Sequence, residues 1–247
     1  KFALTADLLH GAAPFVEPAA PSRADLLLVH APAWVDKVLS GKMSLEEEIA
    51  MELPFSPAVS RAHQLQVSGT IMACQDALES GVGLHVGGGS HHAFADHGEG
   101  FCVLNDIACG IRKAGRRAAV VDLDVHQGNG TASIFAEDSG TFTFSMHQQS
   151  LYPLVKPPSS LDVPLPDGLG DEGYLELLQK HLPRVFEHKP ELIVYQAGVD
   201  CAAGDLLGGL RLSAAGLRER DMLVRDGARA AGVPVAVTLG GGYTKDR

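Results

Sequence analysis

Arg117-Ala118-Ala119-Val120-Val121-Asp122-Leu123-Asp124-Val125-His126-Gln127-Gly128-Asn129-Gly130 is the stretch that decides the fold class. Its first half is short, apolar and β-branched toward its end, as a strand buried on both faces should be, and the glycines then turn the chain at the carboxyl end. Alternation along a strand sets Asp122, Asp124 and His126 on one face. Two carboxylates buried together repel and titrate upward unless a cation or donors meet them, and a divalent metal with an imidazole ligand answers that need. A lone aspartate here would read as the cap of the next helix. Asp-x-Asp-x-His before a glycine turn reads instead as a metal-hydrolase nest.

Working outward, Leu84 to Val86, Thr141 to Met146, Leu192 to Gln196 and Pro234 to Leu239 carry the same strand pattern, with Ala118 to Leu123 between them. Helical periodicity falls at Ala24 to Val29, Pro32 to Leu39, Ala62 to Ser80, Asn105 to Ala114, Tyr174 to His188 and Ala214 to Ala231, the last capped by Ser213. Strands alternating with helices predict an α/β fold: one domain over 1–247, three layers (αβα), with a mostly parallel central sheet. The proline- and glycine-rich stretch from Tyr152 to Gly173 reads as one long surface loop able to wall a site. The chain begins at Lys1 and stops soon after a glycine-rich strand end, so truncation at one or both ends is expected.

The 247 residues and 45% hydrophobic content supply a sizeable core. A formal net charge of −10 argues against nucleic acid as a partner and would draw in a cationic substrate. Cys74, Cys102, Cys109 and Cys201 form no C-x-x-C pair, which suits a reducing compartment, so a cytoplasmic location is expected. No apolar stretch is long enough to span a bilayer.

In open parallel sheets, ligands bind outside the carboxyl ends of the strands. Four such ends carry polar groups here: Gly87-Gly88-Gly89-Ser90-His91-His92, then Asp124 with His126, then Ala197-Gly198-Val199-Asp200, then Gly240-Gly241-Gly242-Tyr243. Asp124, His126 and Asp200 make a one-His, two-carboxylate set with an open position, the pattern of a catalytic metal site; zinc fits, and ferrous iron nearly as well. His91 and His92 read as further ligands, as a polar loop, or as bases beside a bound water, with Asp122 and Asn129 as partners for their ring N–H groups. Tyr243 is either a surface residue or a phenol that donates to a developing oxyanion.

These segments, together with Gly100-Phe101-Cys102-Val103-Leu104-Asn105-Asp106-Ile107, resemble in order and spacing the zinc-dependent histone deacetylase family of the arginase/deacetylase fold. Asp122 to Gly130 and Gly204-Asp205-Leu206-Leu207-Gly208-Gly209-Leu210 look most like its class IV branch and bacterial relatives. The resemblance implies that Asp124, His126 and Asp200 hold Zn2+, or Fe2+. It implies that His92 is general base and then general acid, that His91 oriented by Asp122 is its electrostatic partner, and that Tyr243 polarises the amide carbonyl. Gly100, Phe101 and Leu207 would line a narrow channel for an acyl-lysine stem. A monovalent cation, K+, would sit by Asp122, Asp124, His126 and Ser145.

The chain departs from many relatives at Asn129, where they have Asp, and at Gln127, where they have a second His. A neutral amide cannot raise the His92 pKa as a carboxylate would, so His92 is expected to be neutral near pH 7. Gly128, Asn129 and Cys201 do not supply the extra ligands of the two-metal enzymes of this fold, which favours a single metal. The implied activity is removal of an acyl group from a lysine side chain of a protein or peptide. The alternatives are an acylpolyamine or other small acylamine as substrate, and a non-catalytic acyl-lysine binding module. His10, His30, His63, His85, His181 and His188 read as structural or solvated, and His147 as able to reach the channel.

Overall fold

Continuous apolar runs build the sheet: Ala118 to Asp122 and Leu192 to Gln196 are buried at every position, because helices cover both faces. A computed structural model describes residues 2–12 and 14–244. Among them six strands, β1 (Val82–His85), β2 (Ala118–Asp122), β3 (Thr141–Gln148), β4 (Leu161–Leu165), β5 (Leu192–Gln196) and β6 (Val235–Thr238), run parallel in the order β1-β6-β5-β2-β3-β4. The helices, in chain order, are α1 (Phe2–Leu9), α2 (Arg23–Leu26), α3 (Pro32–Ser40), α4 (Leu45–Met51), α5 (Pro57–Ser80), α6 (Asp106–Ala114), α7 (Asn129–Ile134), α8 (Asp171–His181), α9 (Pro183–Glu187) and α10 (Ala214–Ala231).

Period-two alternation sorts each central strand between two cores. Ala119, Val121, Ile193 and Tyr195 pack against Tyr174 and Leu178 of α8, Val185 of α9, and Val224 and Ala228 of α10. Ala118, Val120, Leu192 and Val194 face Ala73 and Ala77 of α5 and Ile107 and Ile111 of α6 on the other side. A third cluster joins Leu26, Trp34, Val35 and Val38 to Met51 and Val67. Trp34 can be buried there because its Nε1 donates to Val103 O at 2.9 Å. Each fully buried aliphatic side chain in these layers contributes about 1.5–3 kcal/mol relative to exposure.

The strand order fixes where a ligand can bind. From β2 the chain moves to one side through β3 and β4, then returns to β5 and β6 on the other side. The direction of winding reverses between β2 and β5, and the crevice at their carboxyl ends is the switch point of an open α/β sheet.

Three local expectations are corrected. The stretch from Tyr152 to Gly173 is not one loop: Leu161–Leu165 adds the edge strand β4, with Pro164 opposite His147, and α8 already begins at Asp171. An edge strand tolerates a missing N–H, so the proline that reads as a breaker is harmless there. The single helix expected over Tyr174 to His188 divides at Pro183, which cannot donate to the preceding turn. Finally, β2 ends at Asp122, so Asp124 and His126 do not lie on a strand face. Asp124 N donates to Asp122 Oδ1 at 3.2 Å and His126 N to Asp124 Oδ1 at 3.1 Å. Two successive aspartate turns, in place of strand alternation, set the side chains along this segment.

Candidate active site

At the switch point the aspartate turns after β2 meet the loop after β5. Asp200 is fully buried; its Oδ1 accepts from Val125 N at 2.9 Å, and its Oδ2 accepts no hydrogen bond although it lies 3.3 Å from His126 Nδ1. Asp124, 1% exposed, is better satisfied: Oδ2 accepts from Gly241 N at 2.8 Å and Gln196 Nε2 at 3.2 Å, and Oδ1 lies 3.1 Å from His126 Nδ1. One ligand atom from each of Asp124, His126 and Asp200 lies within 4.8 Å of the others, the one such group found among the described residues. Two buried carboxylates around one imidazole, with an oxygen left over, are a donor set suited to a small divalent cation. His91 lies to one side of this group, its Nε2 3.8 Å from Asp124 Oδ1.

The charges at this floor pull titrations apart. Burial raises Asp200, and the adjacent Asp124 carboxylate adds to it, so that Asp200 is pushed up to about 7. Asp124 resists its burial through the His91 charge and then through the hydrogen bond and charge of His126, and sits well below the usual carboxylate range. Burial opposes protonation of His126, yet the two carboxylates push it up to about 10. A cation entering this group must displace protons. Uptake of Zn2+ is therefore expected to release about one proton or more per chain, with apparent affinity falling as pH drops through 7. Calorimetric titration in buffers of different ionisation enthalpy reads the number directly, and proton-neutral binding would contradict the ligand assignment.

Above the triad, His91 and His92 follow the glycine turn after β1. The turn is anchored from α6, where Asp106 accepts from Gly89 N (3.0 Å), Ser90 N (2.7 Å) and Thr70 Oγ1 (2.5 Å). His91 Nδ1 lies 2.7 Å from Asp122 Oδ2, and His92 Nδ1 lies 2.7 Å from Asn129 Oδ1, with the two rings 4.0 Å apart. Burial opposes charging of His91, but Asp122 and then Asp124 raise it to about 9. Burial and the neighbouring His91 charge hold His92 well below the ordinary imidazole value. A pair separated in this way divides into one charged partner and one neutral base.

Around these groups lies a pocket of about 440 Å³, lined in part by His91, His92, Asp124, His126, Gly100, Phe101, Leu207 and Tyr243. Phe101 is 40% exposed and Leu207 41%. Gly100 has φ 47°, and a Cβ there would lie 2.9 Å from the His92 ring, so the wall at this point needs glycine. Tyr243 is tied down through its backbone: its N donates to Asp205 Oδ2 at 2.6 Å, while Asp205 Oδ1 accepts from Leu207 N and Gly208 N at 2.9 and 3.0 Å. Its ring centroid is 6.0 Å from that of Phe101. Burial and the Asp124 and Asp200 charges raise the Tyr243 phenol, keeping it a proton donor.

The structure thus brings together Asp122, Asp124, His126, Asn129, Asp200, His91, His92, Gly100, Phe101, Leu207 and Tyr243. Ser145 pairs with Asp122 across β2 and β3, and its Oγ is engaged by His147 Nδ1 at 2.9 Å. His147 lies inside β3, 2% exposed, and does not line the pocket, which corrects its expected reach. Gln127 turns away as well, donating to Pro157 O and Asp162 Oδ1. Conversely, His63 is a pocket wall and not merely structural, and Gln66, Leu151 and Tyr152 join it. Glu99, Gln196 and Asp205 hydrogen-bond Asn129, Asp124 and Tyr243 respectively. Of these, Asp205 alone has a local signal, the Gly-Asp-Leu-Leu-Gly-Gly turn; the others lie in contacts between distant segments.

A family model described as histone deacetylase domain matches residues 3–247. The chain is 33% identical over 245 residues to histone deacetylase 2 of Arabidopsis thaliana, covering 93% of this chain and 63% of that protein. It is 31% identical over 243 residues to a histone deacetylase-like amidohydrolase of Pseudomonas aeruginosa, covering 90% and 64%. It therefore spans somewhat less than two thirds of both relatives. A crystal structure of an HDAC homologue complexed with SAHA superposes with a TM-score of 0.84 at 24% identity, covering 98% of this chain and 72% of that one, which shows the fold.

Proposed function

The chain belongs to the histone deacetylase family, and from that premise we propose that it is a metal-dependent amidohydrolase that removes an acetyl or longer acyl group from a lysine side chain. The observation that carries the reading is the juxtaposition of the Asp124, His126 and Asp200 ligand atoms with the His91 and His92 pair around a partly apolar pocket. Asp124, His126 and Asp200 would hold the ion, and their one-nitrogen, two-oxygen set suits Zn2+, with Fe2+ as the other candidate. When bound, that ion supplies Lewis acidity to the scissile carbonyl and acidifies the attacking water.

The remaining work falls to the chain. His92, held neutral, takes the proton of the attacking water on Nε2 and later returns it to the leaving lysine amine. His91, charged through Asp122, stabilises the negative charge that develops beside it. The Tyr243 hydroxyl donates to the oxyanion as the carbonyl carbon becomes tetrahedral. Phe101 and Leu207 flank the lysine methylenes, which gain by leaving water while the backbone of the substrate stays outside. Asp122 and Ser145 belong to the same reading as part of a K+ site beneath the catalytic strand.

One observation favours a second substrate class. Glu52 lines the pocket and no lysine or arginine does so among the described residues, which suits the distal ammonium of an acylated polyamine. Hydrolysis of acetyl-lysine and longer acyl-lysine peptides, compared with acetylated polyamines on the zinc-loaded chain, separates the two. A higher kcat/KM on the peptides is expected. A preference for the polyamines would move the assignment to that class, and no turnover of any of them would sink the hydrolase reading.

A further inference from the structure

His92 has an amide partner, Asn129, and the structure shows what stands behind that amide. Asn129 Nδ2 donates to Glu99 Oε2 at 2.9 Å while Asn129 Oδ1 lies 2.7 Å from His92 Nδ1. The same Glu99 oxygen accepts from Tyr152 Oη at 2.7 Å, and the Tyr152 ring stands edge-on to the His92 ring at 4.9 Å. Glu99 therefore ties together the amide behind His92 and the aromatic wall beside it. Its side chain is 29% exposed, and it reaches Asn129 and Tyr152 across 30 and 53 residues of sequence.

An asparagine is ambiguous as a histidine partner. With its oxygen toward Nδ1 it requires the ring proton on Nδ1 and leaves the Nε2 lone pair available; with its NH2 toward Nδ1 it requires the opposite tautomer, whose Nε2 can only donate. The two orientations have nearly the same shape. A carboxylate removes the ambiguity because it only accepts: a flipped Asn129 would set its carbonyl oxygen against Glu99 Oε2. We propose that Glu99 is a positioning residue for His92, acting through Asn129 to fix the Nδ1–H tautomer and so to keep Nε2 a base.

Asn129→Asp would set two carboxylates against each other across 2.9 Å, so in this chain an aspartate at 129 and a glutamate at 99 exclude each other unless a proton is shared. The effect of Glu99→Gln should then change sign with the background. In the native chain the glutamine oxygen still accepts from Asn129 and Tyr152, and little is lost. In the Asn129→Asp background the glutamine NH2 donates to the new carboxylate, and the same substitution becomes beneficial.

The kinetic arm rests on the hydrolase reading, whereas the tautomer does not. Long-range 1H–15N NMR of the 15N-histidine-labelled, metal-free chain reads the His92 tautomer directly. The native chain and Glu99→Gln are expected in the Nδ1–H form, and Glu99→Ala in a mixture or in the Nε2–H form. On the zinc-loaded enzyme, Glu99→Ala should lower kcat by about tenfold or more with KM little changed, as losing a group that orients an active-site side chain typically does. Glu99→Gln should raise kcat in the Asn129→Asp background. An unchanged His92 tautomer in Glu99→Ala overturns the proposal, as does a Glu99→Gln effect of the same sign in both backgrounds; that comparison also serves if Glu99→Ala fails to fold. A native chain that hydrolyses no acylated amine, yet whose tautomer responds to Glu99→Ala, would remove the hydrolase reading and leave the positioning role standing.

Discussion

Asp200→Asn is expected to cost the protein its metal and to reduce turnover to background. The asparagine oxygen can still accept from Val125 N, as Asp200 Oδ1 does now at 2.9 Å, so the loop after β5 has no reason to move. What disappears is the charge and the second oxygen facing His126. Zn2+ affinity should fall by more than about 100-fold, beyond the loss typical of groups that only orient ligands. Stability of the metal-free protein should move the other way. The Asp200 carboxyl rises from 3.8 to about 7 on folding, chiefly through burial and then through Asp124. The folded state thus binds more protons than the unfolded state between those values, and stability falls as pH rises through that window. The substitution removes that penalty. Thermal unfolding at pH 8 should show the metal-free variant at least as stable as the native chain, with added zinc raising the Tm of the native chain alone. A variant that melts early without metal would point to a structural role, and one that keeps zinc would remove Asp200 from the ligand set.

Tyr243→Phe is expected to separate binding from chemistry. The hydroxyl is the one atom removed; the backbone anchor to Asp205 and the packing against Phe101 remain. Loss of a donor to the oxyanion should lower kcat by roughly 10²–10³-fold. Metal content should be unchanged and KM should move little, because the bond strengthens only as the carbonyl oxygen gains charge. Steady-state kinetics on an acyl-lysine peptide checks this. Equal losses in KM and none in kcat would make Tyr243 a substrate-binding wall and not an oxyanion donor.

The sheet is legible in the sequence where burial is two-sided. Leu192 to Gln196 and Ala214 to Ala231 with its Ser213 cap have the bounds that their apolar patterns predict. β4 is not legible, because an edge strand with a proline lacks that pattern. Strand order is not legible either, and it is strand order that inserts β6 between β1 and β5 and lays Gly241 N on Asp124. Within the site, Asp124, His126 and the His91–Asp122 and His92–Asn129 pairs are legible because each motif is short and follows a strand. Their geometry is not, since aspartate turns replace the expected strand face. Tyr152 falls in the stretch read as able to wall a site and does line the pocket, whereas Glu99 escapes because its contacts with Asn129 and Tyr152 join distant segments with no periodicity, and His63 because a single histidine in a long helix carries no sign of the pocket beside it.

In the proposed function one metal ion, held by Asp124, His126 and Asp200, is required for amide hydrolysis. The most direct test strips the native chain with a chelator and titrates Zn2+ back, following bound metal and hydrolysis of an acetyl-lysine peptide on the same samples. The stripped chain is expected to be inactive, and both signals to rise together and saturate at one equivalent. Full turnover in the stripped chain, or no zinc retained at any concentration tested, would contradict that requirement.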